Sequence, residues 1–375
     1  MPIDDPLALL GGLTPSQFMK RHWQRKPLLV RGAVAGVQPL VERARLFALA
    51  AQDNVESRLV AHDGRGGWRM RRGPFARRSL PPMTRPGWTL LVQGMDLHDA
   101  SAHSLMQQFR FVPEARLDDL MVSHATDGGG VGPHVDSYDV FLLQVHGRRR
   151  WRIGRQRDMS LRSDAPLKIL SNFEPEVEYL LEPGDMLYLP PLYAHDGVAE
   201  GECQTWSIGF RAPGSGELAR ELLQRLAEDA ADEVGDAIYA DPKAPATETP
   251  GAIPEAMRDF ARKAIETAMR GPQLLDRALG EYLTEPKAQV WFDARSAPGQ
   301  LRAVSLDPRT RMLYDERHVF INGESWRAAG RDATLMRRLA DRRRLAPADM
   351  ARASDAARDL LAAWCEAGWL LETIE

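Results

Sequence analysis

Gly128-Gly129-Gly130-Val131-Gly132-Pro133-His134-Val135-Asp136 leads through Ser137-Tyr138-Asp139 into the apolar run Val140-Phe141-Leu142-Leu143-Gln144-Val145. Residues two apart on a strand point to the same face, so His134 and Asp136 form an imidazole–carboxylate pair. Such an N/O pair suits Fe(II) or Mn(II) better than a thiolate-seeking metal. A third ligand comes from Glu182-Pro183-Gly184-Asp185-Met186-Leu187-Tyr188-Leu189-Pro190-Pro191-Leu192-Tyr193-Ala194-His195. That block reads as a turn, a strand, a proline break and a histidine at the strand mouth. Two histidines and one carboxylate leave coordination positions open for a bidentate cosubstrate and for oxygen. Alone, the His-x-Asp pair also fits a turn histidine beside a glycine loop; the second block weighs toward a metal site. The other seven histidines lack such context and read as core or surface residues, with His124 a lesser candidate for a place near the site.

Outward from this stretch, residues 87–212 read as short strands. Trp88–Val92, the run from Asp139 to Val145, Trp151–Ile153 and Met186–Leu189 are examples, with Gly147 and Pro183-Gly184-Asp185 as turns. Strands at this spacing predict an antiparallel barrel or sandwich. Upstream, Thr14-Pro15-Ser16 starts a helix that Lys26-Pro27 ends, and Leu28-Leu29-Val30 reads as a strand. Past Pro213 the spacing predicts helices over about 217–234, 254–270 and 273–283, with a Pro/Thr/Ala-rich loop over 241–251. Val319-Phe320-Ile321, Asn322-Gly323 and Glu324-Ser325-Trp326 form a hairpin signal, because Asn-Gly suits a type I′ turn. Helical runs follow over about 332–344, 347–352 and 355–366. The boundaries are set at 1–215, 216–290 and 291–375.

The chain has 375 residues, room for two or three domains. Its 49 Lys+Arg and 52 Asp+Glu give a net charge of −3, which argues against a protein that coats nucleic acid through general basicity. No stretch approaches the ~18–20 apolar residues of a membrane-spanning helix. The acidic opening Met1-Pro2-Ile3-Asp4-Asp5 lacks the apolar segment of a secretory signal. Cys203 and Cys365 lie too far apart for a CxxC knuckle, and two cysteines make no disulfide framework. A cytoplasmic location is expected.

Gly128, five residues, His134, one residue and Asp136 resemble the first cupin motif. Gly184, five residues, Pro190, four residues and His195 resemble the second, with Leu192 in place of the usual glycine. Phe18-Met19-Lys20-Arg21-His22-Trp23-Gln24-Arg25-Lys26-Pro27-Leu28, and the run from Gly128 to Arg152, extend the match. The chain resembles the JmjC-type cupin hydroxylases of the ribosomal oxygenase group over nearly its whole length. The resemblance implies an α+β fold: a double-stranded β-helix barrel, a helical dimerisation region and a C-terminal winged helix. It implies Fe(II), 2-oxoglutarate and O2 at His134, Asp136 and His195, and a homodimer. The implied activity is C3 hydroxylation of an arginine in large-subunit ribosomal protein sixteen.

A cosubstrate of this kind needs an anchor for its distal carboxylate. Arg149, Trp151 and Ile153 share one strand face, Arg148, Arg150 and Arg152 the other. The apolar members mark the inward face, so Arg149 points into the barrel. A bidentate guanidinium–carboxylate pair is the natural anchor, and the family has its arginine at this position. Some relatives add a hydroxyl where Ala125 stands; Thr126 or Ser207 are the alternatives here. For a substrate guanidinium the candidate partners are Asp127, Tyr138 and Asp139; a loop aspartate is as often a turn former. In the last module Arg337, Arg338, Arg342, Arg343 and Arg344 cluster, but neighbouring aspartates dilute their charge. Nucleic-acid contact there is expected to be weak or indirect. Three classes stay open: a ribosomal-protein arginine hydroxylase, a JmjC oxygenase acting on a histidine or lysine of another protein, and a non-enzymatic nucleic-acid-binding or scaffold protein.

Overall fold

Thr14 accepts a hydrogen bond from Gln17 N–H at 3.1 Å, and the Gln17 side chain accepts one from Thr14 N–H at 3.2 Å. This capping box starts α1 (Pro15–Arg21). The computed structural model describes residues 2–37, 41–64, 66–296 and 301–373 and divides into two compact units, 1–212 and 213–375.

The first unit holds α1, α2 (Arg43–Leu49), α3 (Met95–His98) and α4 (Ala100–Gln107) around one antiparallel sheet. Its strands are β1 (Leu28–Val30), β2 (Ser57–His62), β3 (Trp68–Arg72), β4 (Trp88–Val92), β5 (Leu117–Ala125), β6 (Val140–Gly154), β7 (Val177–Leu181), β8 (Met186–Leu189) and β9 (Ala194–Phe210). The order is β1-β8-β6-β9-β5-β4-β2-β3, with β7 on the far half of β6. β6 and β9 are the long members and pair along nearly their whole length. Gly147, expected as a turn, lies inside β6 at φ +61°, where the register shifts on both sides of His146. It is a bulge that bends the ribbon. The bend folds the ribbon over: Val140, Leu142, Leu187 and Leu189 pack against Trp151, Ile153 and Leu181. That is the predicted barrel.

The outer face carries the larger core. Phe18 meets the Tyr188 ring edge-on at 5.0 Å, and Trp23 stacks on Tyr188 at 6.0 Å. The Phe18–Leu28 signature thus pins the N-terminal segment to the back of the barrel.

The second unit begins with α5 (Ser215–Val234), α6 (Glu255–Ala268) and α7 (Pro272–Thr284), close to their predicted spans. Strands β10 (Val304–Leu306), β11 (Met312–Tyr314), β12 (His318–Ile321) and β13 (Glu324–Arg327) follow, then α8 (Gly330–Arg342), β14 (Arg344–Leu345), α9 (Pro347–Met350), α10 (Asp355–Glu366) and β15 (Leu370–Glu372). Asn322 and Gly323 adopt φ +49° and +89°, as the type I′ turn requires. Leu335, Leu339, Leu361 and Trp364 form the core of this module with Val304 and Leu306. Its arginine cluster is mostly engaged within the fold. Arg338 pairs with Asp349, buried Arg343 donates to the carbonyls of Asp307 and Thr310, and Arg337 to those of Asp315 and Glu316. Both cysteines are buried and free. Among the described residues no helix is long and apolar enough to cross a membrane.

Candidate metal and cosubstrate site

The glycine loop reaches the ribbon because nothing larger fits. A Cβ on Gly129 would lie 2.4 Å from the Trp88 carbonyl oxygen, and one on Gly130 2.7 Å from that of Gly197. The loop therefore runs flat against β4 and β9 and ends by pairing with β9. His134 N–H donates to the His195 carbonyl at 3.0 Å, and His195 N–H returns the bond at 2.9 Å. Leu192 N–H donates to the Asp136 carbonyl at 2.7 Å. Leu192 holds φ +60° with a side chain 57% exposed, so it keeps the conformation expected of a glycine.

Three ligand atoms converge. The donor atoms of His134, Asp136 and His195 lie within 4.8 Å of one another. Asp136 Oδ2 is 3.9 Å from His134 Nε2 and 3.6 Å from His195 Nε2. Each Nδ1 lies beside a carbonyl: that of His134 beside Gly132 O at 2.9 Å, that of His195 beside Tyr193 O at 3.0 Å. Donation from Nδ1 leaves the Nε2 lone pairs free, the tautomer a metal ligand needs. Burial pushes the His195 imidazole down to about 4, with His134 adding to the shift, so it is neutral near pH 7. The donor set fits Fe(II).

Behind the triad lies the inner face of β6. Trp151 is opposite Gly197, Ile153 opposite His195 and Arg149 opposite Ala199. The Trp151 ring covers Gly197, where a Cβ would fall 2.7 Å from ring carbons, and lies 5.8 Å from the His195 ring. Arg149 is only 5% exposed, and its Nε and Nη2 have no hydrogen-bond partner. Its neighbours differ: Arg150 pairs with Glu178 and Glu200, and Arg148 lies 3.8 Å from Glu200. An unpaired buried guanidinium fits an incoming carboxylate.

The inner face also carries hydroxyls that the sequence did not single out. Ser123 and Thr89 are buried, and neither Oγ atom has a partner. Thr89 stands directly opposite Ala125, and Ser123 two residues before it. Thr126 is less available, because its Oγ1 lies 3.4 Å from both N and O of Trp88. Ser207 is half-buried opposite Leu142.

The substrate candidates separate. Asp127 is exposed; its Oδ1 accepts from Gly201 N–H at 2.8 Å. Tyr138, 39% exposed, has its hydroxyl against the Asp136 carboxylate. Asp139 is a correction. It precedes inward-facing Val140, so it points to the outer face, fully buried. There it accepts from Tyr188 O–H at 2.6 Å, Gln24 Nε2 at 3.1 Å and Arg116 Nη2 at 3.3 Å. It braces the N-terminal segment through Gln24 and Tyr188. His124 also faces outward, 5.5 Å from the Phe47 ring.

Residues 104–218 match the JmjC domain family and residues 262–371 the ROXA-like winged helix. The chain is 35% identical over 278 residues to the Ribosomal protein uL16 3-hydroxylase of Escherichia coli K12, covering 73% of this chain and 72% of that protein. It belongs to the JmjC ribosomal oxygenase family. An X-ray structure of E. coli YcfD superposes with a TM-score of 0.82 at 30% identity, over 95% of this chain and 97% of that one. The complex of YcfD with cobalt and 2-oxoglutarate superposes at 0.78, also at 30% identity and over 95% and 97% of the two chains. The winged-helix match begins inside the stretch 216–290 assigned above to a helical region.

Proposed function

We propose that this chain is an Fe(II)- and 2-oxoglutarate-dependent hydroxylase that oxidises C3 of an arginine in large-subunit ribosomal protein sixteen. The observation that carries the reading is the buried, unpaired Arg149 guanidinium on the wall that holds the His134–Asp136–His195 triad. The E. coli relative named as a uL16 3-hydroxylase supports the substrate. Bound Fe(II), with 2-oxoglutarate and oxygen, supplies the oxidising power that replaces one C–H bond by C–OH while 2-oxoglutarate becomes succinate and CO2.

The residues do the rest. His134 and His195 bind through Nε2 and Asp136 through its carboxylate. Arg149 takes the distal carboxylate of 2-oxoglutarate, with Ser123 or Thr89 as a further donor. Trp151 and Ile153 wall the cavity and exclude water from the reacting atoms. Tyr138 lines the mouth beside Asp136. Asp127 has its Oδ2 left to accept a charge-assisted hydrogen bond from a substrate guanidinium. The helices over 216–290 serve as the dimer contact: α5 and α6 bury no residue, and Leu223, Met257, Phe260 and Ile265 stand exposed. The cytoplasm, where ribosomes assemble, is the proposed location.

The test is intact-mass analysis of large-subunit ribosomal proteins from cells with and without this gene. Protein sixteen should carry the mass of one extra oxygen only when the gene is present, localised by fragmentation to an arginine. Oxidation of a histidine or lysine in another protein, lost on deletion, would replace this reading.

A further inference from the structure

One edge of the large sheet is β3, which pairs with β2 alone. From Gly64 to Met95 the sequence holds seven arginines and no aspartate, glutamate or lysine, in a chain that elsewhere carries an excess of acidic residues. Arg69, Arg71 and Arg72 lie on β3, Arg77 and Arg78 on the 3-10 turn after it, and Arg85 on the return to β4; all six are exposed. Arg71 lies over the Phe75 ring and Arg77 over that of Phe47. Among the described residues Arg69, Arg72, Arg78 and Arg85 make no side-chain hydrogen bond or ion pair. Arg72 stands directly opposite Arg58, whose Nε is buried without a partner.

Like charges directly opposite in a sheet destabilise it, and this repulsion is left in place. Arginines on an edge strand do guard against sheet-to-sheet pairing. That role does not require them to continue past the strand, nor the absence of every acid where surfaces ordinarily mix both signs. The edge is also next to the site. Nε2 of His62, on β2, lies 2.8 Å from the Gly128 carbonyl, and a Cβ on Gly132 would meet Trp68 of β3 at 3.2 Å.

We propose that this arginine edge binds RNA, its guanidinium groups taking phosphates while the half-exposed Trp68 ring receives a base. Arginine forks match phosphate oxygens and stack on bases, and an aromatic ring among cations is how single strands are held without sequence preference. An acidic protein would need no such ring. The winged helix fits RNA less well, because α10 presents Asp355, Asp359 and Glu366 at exposed positions. The inference goes beyond the hydroxylase reading and stands apart from it, so it is tested without metal or cosubstrate.

The full chain is titrated into a fluorescein-labelled single-stranded RNA of mixed sequence, with anisotropy read across a salt series. Wild type should bind with a log–log salt slope of about −2 to −4, the value for three to five phosphate contacts on a single strand. R69E/R72E/R78E changes side chains without intramolecular partners; it should weaken binding about tenfold or more and flatten the slope. R342E/R344E, in the second unit, should leave both unchanged. If the triple variant melts early, R69E and R78E measured singly carry the same test. The proposal is overturned if wild type does not bind, if the winged-helix variant loses binding while the edge variant keeps it, or if polyglutamate competes as well as unlabelled RNA.

Discussion

The two faces of the β6–β9 ribbon carry the same residue types and treat them in opposite ways. On the outer face Arg150 pairs with Glu178 and Glu200, Arg152 with Asp196, and Asp139 with Arg116 and Tyr188. On the inner face Arg149 keeps two unpartnered nitrogens, Ser123 of β5 and Thr89 of β4 beside it keep idle hydroxyls, and Asp136 shares its surroundings with two histidines. An unpaired charge in a buried site is costly, so the inner face makes physical sense only with ligands bound there. Outer charges hold the barrel together; inner ones wait for chemistry. One step along a strand separates the two fates.

The largest effect expected from breaking this contrast is at the metal. His134→Ala should reduce turnover about a thousandfold or more, ~4 kcal/mol in activation terms, and leave the melting temperature within a few degrees, since the ring is not part of the core. A variant that retained turnover would remove His134 from the site. Asp139→Ala should do the converse. It strands the buried Tyr188 hydroxyl and a half-buried Arg116, so about 2–4 kcal/mol of stability should be lost in denaturant unfolding. Affinity for 2-oxoglutarate should stay near wild type; a stable variant that failed only on the arginine substrate would return Asp139 to the cavity.

His124 sharpens the comparison through pH. Burial against Phe47 and Trp88 lowers its pKa from 6.5 to about 4; Glu202 opposes the shift, and Arg43, His146 and Arg149 reinforce it. The unfolded chain therefore binds the extra proton first, and stability should fall as pH drops from about 6.5 toward 4, by at most about 3 kcal/mol from this group. His124→Phe should flatten that part of the wild-type curve, measured by denaturant midpoints at several pH values. Identical pH slopes in the two proteins would show that His124 is not held neutral. The smallest effect concerns Leu192. A non-glycine residue at φ +60° costs ~1–2 kcal/mol, and glycine gives back ~0.5–1 kcal/mol through its freer unfolded chain. Leu192→Gly should gain up to about 1 kcal/mol, and a loss of stability would mean that the side chain packs in the native state.

Much of the site was legible because metal ligation and strand parity leave periodic marks. The His-x-Asp pair and the inward parity of Arg149 follow from a period of two, and His195 from its spacing after Gly184 and Pro190. Asp139 was misread for the same reason in reverse: adjacency to Tyr138 in sequence says nothing of face, and a one-residue step reverses it. Gly147 signalled a break without saying bulge or turn. The β2–β3 hairpin leaves only a weak mark because Trp68-Arg69-Met70-Arg71-Arg72, an edge strand, alternates over just two apolar positions, Trp68 and Met70, among three arginines. β9 runs 17 residues, but Gly197 and Gly201 disguise it as fragments. Thr89 and Ser123 could not be found from sequence, since only cross-strand register brings two ordinary hydroxyls to one wall with Arg149.

The contrast between the faces is tested most directly by calorimetric titration of 2-oxoglutarate into Mn(II)-loaded wild type, Arg149→Ala and Arg150→Ala in parallel. Wild type and Arg150→Ala should bind alike, while Arg149→Ala should lose about 2–5 kcal/mol, the cost of removing one partner of a desolvated charge pair. Equal losses in both variants, or none in Arg149→Ala, would contradict the assignment of the inner face to the cosubstrate.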